Sequence, residues 1–141
     1  MMFGACINLT AAPALPATNL AEGCYSRMFM MSGLTSAPAL PATTLAANCY
    51  SDMFDSSGLT TAPALPATSL NKGCYSGMFS GCTDLSTIPA LPATTLAEQC
   101  YQSMFYGCTG LTTAPTLPAT TLAKQCYQSM FYGCTGLTTA P

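Results

Sequence analysis

The sequence predicts an α/β solenoid, with short parallel strands on the inner face and short helices outside. Three observations predict it: an internal repeat, a helical spacing of apolar residues in one half of each unit, and a proline-bounded apolar segment in the other. The segment CYxxMF recurs with its cysteine at Cys24, Cys49, Cys74, Cys100 and Cys126, in steps of 25, 25, 26 and 26 residues. LPATxL begins at Leu15, Leu40, Leu65, Leu91 and Leu117 with the same steps, and residues 100–115 and 126–141 are identical. Self-similarity at such a period is the signature of a stacked repeat architecture. The chain therefore reads as one domain, residues 1–141, of about five units of 25–26 residues.

Within one unit, ATTLAEQCYQSMFYGC carries the helical element. Leu96, Cys100 and Met104 lie at i, i+4 and i+8, with Tyr101 and Phe105 beside them. Thr95 with Glu98, and Asn19 with Glu22, have the spacing of a capping box. Pro92 blocks an earlier start and Gly107 marks a stop. At about three turns this helix is too short to stand alone and must rest on a partner. The partner is the segment Leu111–Pro118, read as a short strand near Leu111–Ala114 closed by Pro115. Two prolines per unit remove ladder donors, so pairing should cover only a few residues. Strands stacked ~4.8 Å apart against helices needing ~8–10 Å would curve the array, strands inside. The longer units read MFYGCTGL and the shorter ones MFMMSGL or MFDSSGL, without the second cysteine. The missing residue falls in a Gly/Ser turn, where length changes cost little.

These columns resemble the leucine-rich repeats of the Treponema, or BspA-like, class, whose pattern is roughly CxxLxxIxLPxxLxxIxxxAFxxC. The matching residues are Cys108, Leu111, Ala114, Leu117, Pro118, Leu122, Cys126, Met130, Phe131 and Cys134. The units here are two or three residues longer, Ala replaces Ile except at Ile88, and Cys-Tyr replaces Ile-Gly. The resemblance implies a leucine-rich repeat array from a bacterial cell-surface or secreted protein that binds proteins or other cells, and no catalytic residues. Neither end reads as a capping unit and no signal peptide is visible, so the chain reads as a piece of a longer array.

Composition narrows function. The chain has three Lys/Arg and five Asp/Glu, 6% charged in all, and no histidine or tryptophan. An ordinary domain carries about 25% charge. A net charge of -2 gives no basic footprint for nucleic acid. No apolar run approaches the ~18–20 residues of a membrane span. Without histidine there is no Ser-His or Cys-His base. Asp55 and Asp84 stand alone, so no pair of acids converges for acid–base work. Lys72, Glu98 and Lys124 share one column and Arg27 and Asp52 another, each neighbouring pair opposite in sign. No enzyme activity and no cofactor are expected.

Nine cysteines form two columns: Cys24, Cys49, Cys74, Cys100 and Cys126, and Cys6, Cys82, Cys108 and Cys134. The C-x7-C spacing is not that of a zinc or redox site, so no metal is expected. Disulfides Cys74–Cys82 or Cys100–Cys108 remain open, but the odd count and the unpartnered Cys24 and Cys49 favour small buried thiols. The Met-Phe column is core. Tyr25, Tyr50, Tyr75, Tyr101 and Tyr127 are either stacked between coils or an aromatic stripe for a partner. Tyr106 and Tyr132 form a second, partial column.

Threonine and serine fill the place of charge. Thr35, Ser36, Thr60, Thr61, Ser86, Thr87, Thr112 and Thr113 would line the concave wall, strand alternation turning one member of each pair outward. An ice-binding lattice needs matched T-x-T columns, which adjacent threonines do not supply. Asn8-Leu9-Thr10 is a lone glycosylation sequon. The expected function is thus a non-catalytic protein-interaction or adhesion module, its partner a protein or cell-surface ligand. The alternative is a structural spacer or a head-to-tail filament self-associating through uncapped ends.

Overall fold

The structure is a computed structural model that describes residues 2–141. It is a stack of coils, one per sequence unit, but not the α/β solenoid or leucine-rich repeat array that the sequence predicts. No helix and no continuous strand forms among the described residues. The β features are isolated parallel bridges, Ser36↔Thr61, Thr61↔Thr87, Thr44↔Ser69 and Thr95↔Thr121.

The segment expected to be helical is a ribbon of overlapping turns. In residues 46–57, the amides of Cys49, Ser51, Met53, Asp55 and Ser57 donate to carbonyls three residues back, at 3.0–3.4 Å. The amides between them, on Asn48, Tyr50, Asp52, Phe54 and Ser56, leave the coil. They donate to Lys72, Cys74, Ser76, Met78 and Ser80 of the next coil at 2.7–3.0 Å. An α-helix would send every amide to its own residue i−4. The ribbon instead divides its donors between local turns and the neighbouring coil, so it needs that neighbour to exist.

The backbone reason is a left-handed residue at every fourth position. Asn48, Asp52 and Ser56 have φ of 53°, 52° and 55°, and their counterparts Gly73, Gly77 and Gly81 have 59°, 61° and 68°. No α-helix accommodates such residues. Where the residue is not glycine the conformation costs about 1–2 kcal/mol. It is held by the cross-coil hydrogen bond and by the packing that the turn directs inward. The Thr95–Glu98 and Asn19–Glu22 capping boxes therefore cap nothing.

Each four-residue turn sends two side chains in and two out. In residues 46–57 Cys49, Tyr50, Met53, Phe54 and Ser57 are buried, while Ser51, Asp52, Asp55 and Ser56 lie toward solvent. Repetition converts this into ladders. Phe3, Phe29, Phe54, Phe79, Phe105 and Phe131 stack with ring centroids 5.6–5.8 Å apart and planes within 10°. Tyr25, Tyr50, Tyr75, Tyr101 and Tyr127 stack at 5.8–5.9 Å. Offset parallel rings at this distance are attractive beyond the area they bury.

The other half of each coil, the wall, comprises residues 9–20, 34–45, 59–70, 85–96 and 111–122. Leucines at its start, such as Leu34, Leu59, Leu85 and Leu111, are fully buried against the ribbon. Leu40, Leu65 and Leu91, with Ala42, Ala67 and Ala93, complete the core. Prolines on either side of the central leucine have no amide to give, so backbone hydrogen bonding between walls gathers at the isolated bridges.

The difference between 25- and 26-residue units lies between ribbon and wall: Ser57-Gly58-Leu59 in one, Cys82-Thr83-Asp84-Leu85 in the next. The shorter units do not lack the second cysteine column. Serine occupies it at Ser32 and Ser57, both buried, and Ser57 Oγ lies 3.5 Å from Cys82 Sγ. Coils approach closely here. A Cβ on Gly110 would sit 2.7 Å from the Thr83 carbonyl oxygen and 3.0 Å from that of Leu85.

Candidate functional site

The wall offers the surface with the most distinctive chemistry. Its five segments contain no charged residue; Glu22, Arg27, Asp52, Asp55, Lys72, Glu98 and Lys124 lie on ribbons, and Asp84 lies in the connection before the fourth wall. Two of the expected opposite-sign pairs form across coils, Arg27 Nε with Asp52 at 3.2 Å and Lys72 Nζ with Glu98 at 3.4 Å, whereas Glu98 and Lys124 make no ion pair. Exposed pairs of this kind contribute about 0–1 kcal/mol.

All eight predicted wall residues, Thr35, Ser36, Thr60, Thr61, Ser86, Thr87, Thr112 and Thr113, are exposed. The alternation anticipated for them does not occur. Both members of each pair project outward, because the chain turns a corner after the buried leucine instead of entering a pleated strand. The two members differ in availability. Thr60 Oγ1 donates to the Thr35 carbonyl at 3.3 Å and Ser86 Oγ to the Thr60 carbonyl at 3.2 Å. The second member, at Ser36, Thr61 and Thr87, sits at the parallel bridges.

Sequence reasoning missed a second hydroxyl pair at the far end of four of the five walls. Thr43-Thr44, Thr68-Ser69, Thr94-Thr95 and Thr120-Thr121 are all exposed. The signal was the recurrent Ala-Thr-Thr, but Thr95 was assigned to a helix cap. Between the two rims lies an apolar trough floored by Ala, Leu and Pro. It contains three shallow hollows of about 210, 380 and 440 Å³ on successive coils, lined chiefly by Pro16 and Pro41, Pro38 and Pro66, and Ile88 and Pro92.

The predicted aromatic stripe is interior. Tyr50, Tyr75 and Tyr101 are 1% exposed, and only the flanking Tyr25 and Tyr127 are half-buried. The hydroxyls of Tyr50 and Tyr101 are buried without a hydrogen-bond partner. Burial pushes all three inner phenols above their ordinary value, with neighbouring thiols adding to the shift.

The cysteines are free thiols. Burial pushes Cys49 and Cys74 up to about 12 and Cys100 to about 11. Such thiols are poor nucleophiles, since the thiolate is the reactive form. In the second column the Sγ–H of Cys82, Cys108 and Cys134 donates to the carbonyls of Phe54, Phe79 and Phe105 at 3.1, 3.0 and 2.9 Å. These thiols bind one coil to the one before it. No group of three or more His, Cys, Asp or Glu side chains is placed to hold a metal ion among the described residues.

Compared with known proteins, the chain matches no family model, no curated protein and no solved structure. No helix among the described residues is long and apolar enough to cross a membrane.

Proposed function

We propose that the chain is a non-catalytic interaction module that holds a protein or cell-surface ligand against its wall, outside the cell. One observation carries the reading: the wall is free of charge along its whole length, with hydroxyl columns rimming an apolar trough. Such a surface recognises by shape, apolar contact and neutral hydrogen bonds, so its binding should depend weakly on salt. The extracellular setting rests on the resemblance of the sequence columns to those of surface-protein repeats and not on the backbone, which is not a leucine-rich repeat.

The test is selection of binders from a displayed peptide library against the intact chain, with a wall variant and a ribbon variant as competitors. The double variant Thr61→Lys, Thr87→Lys should lose the selected binders, and Ser76→Lys on the ribbon should keep them. Binders indifferent to the wall lysines, or binders released by moderate salt, would overturn the reading. A spacer role is the second reading, favoured by the two unbroken aromatic ladders. It predicts no wall-dependent binder at all.

A further inference from the structure

Tyr106 and Tyr132 are the tyrosines that the core does not use. They occupy matched outward positions on consecutive ribbons, 42% and 66% exposed. Their rings are the closest aromatic pair in the molecule, with centroids 5.1 Å apart and planes 17° from parallel. Earlier coils carry Met30, Asp55 and Ser80 at this position, so the pair is confined to the last two units. The next residue in each coil is a glycine of positive φ, Gly107 or Gly133, which leaves no side chain beside the rings. The backbones beneath are fixed to each other by the bond from the Gly107 amide to the Tyr132 carbonyl at 2.8 Å.

We propose that Tyr106 and Tyr132 form an oxidative cross-linking site, at which a haem peroxidase and hydrogen peroxide join the two ribbons through an intramolecular dityrosine. Each phenol gives one electron to the oxidised haem and its hydroxyl proton to water. The two phenoxyl radicals couple through a ring carbon ortho to each oxygen. The displaced ring hydrogens move to the oxygens and restore both aromatic rings. In sum, two phenols and one hydrogen peroxide give one dityrosine and two waters.

Selectivity follows from access. The inner ladder tyrosines are stacked too, but Tyr50, Tyr75 and Tyr101 are shielded from a bulky oxidant. The hydroxyls of Tyr50 and Tyr101 have no neighbour to take a proton. Tyr106 and Tyr132 are exposed and face each other across a contact that already exists. Stapling here would close a loop of about one coil and raise resistance to unfolding.

The test exposes the full chain, at high dilution, to a haem peroxidase with hydrogen peroxide. The expected product is a monomer two hydrogens lighter with dityrosine fluorescence, and digestion should yield one peptide pair joined through Tyr106 and Tyr132. Tyr106→Phe and Tyr132→Phe keep the stacked rings and should each abolish the intramolecular product, while Tyr25→Phe should leave it intact. The cross-linked form should unfold at higher denaturant than the untreated chain. A cross-link that survives in Tyr106→Phe, or only interchain products at high dilution, would overturn the proposal.

Discussion

Ribbon and wall divide each coil about equally in length and share almost nothing else. The ribbon keeps its Cys, Tyr, Met and Phe ladders inside except at the exposed Cys6 and Cys24, pairs two sets of charges across coils, and bonds to the next coil at every second amide. The wall has two prolines, touches its neighbour at isolated bridges, and shows hydroxyls to solvent. A ribbon residue is therefore held both by its local turn and by the next coil, whereas outward wall side chains such as Thr60 and Ser86 make a single bond to the coil before. Cohesion belongs to the ribbon, and the wall is left free to vary its surface.

The largest expected break of this contrast is by alkali, because the displaced thiols and phenols all sit in ribbons. Thiols ordinarily ionise near 9.0, but Cys49 and Cys74 hold their protons to about 12 in the folded stack. Above pH 9 the unfolded chain therefore binds fewer protons than the folded one. Stability present in full below that point is lost as pH rises toward 12. Denaturant midpoints measured from pH 7 to 11 should fall steeply beyond 9, and a flat profile would contradict buried, protonated columns.

Next is Phe79→Ala. Phe79 is fully buried between Phe54 and Phe105, with centroids at 5.8 and 5.6 Å. Its loss should cost about 3–5 kcal/mol in chemical denaturation. Pro66→Ala, on the exposed wall, should cost about 1 kcal/mol or less, through the freer unfolded chain alone. Gly110→Ala should lie between them, at about 1–3 kcal/mol, since its Cβ meets backbone that cannot step aside. Smaller still is Cys108→Ser. A serine hydroxyl can donate to the Phe79 carbonyl as the thiol does, and serine already fills this column at Ser57. Its cost should stay near 1 kcal/mol. Thr61→Ala should change stability by less than about 0.5 kcal/mol while removing a rim hydroxyl.

The repeat register, the inward Met-Phe column and two of the opposite-sign pairs were legible because they depend only on which positions recur. The backbone was not. Leu96, Cys100 and Met104 at i, i+4 and i+8 suit a helix of 3.6 residues per turn. They suit equally a ribbon of four residues per turn, and over three turns the two periods diverge by only about one residue. The distinguishing sign was the phase of the glycines. Gly73, Gly77 and Gly81 fall four apart in one unit, where a helix would not place them. In other units Asn48, Asp52, Gln99 and Ser103 hold the same left-handed positions, so the sign is diluted. On the wall, the rule that strands alternate misplaced one hydroxyl of each pair. The second hydroxyl pair was hidden by the helix assignment of Thr95.

The most direct measurement is of scalar couplings across the backbone hydrogen bonds by NMR on the labelled chain. The turn ribbon predicts that the Tyr50 amide couples to the Cys74 carbonyl and the Phe54 amide to the Met78 carbonyl, while the Met53 amide couples to the Tyr50 carbonyl. Coupling of the Tyr50 amide to the Ala46 carbonyl, four residues back in its own coil, would show a helix and contradict the stacked ribbon.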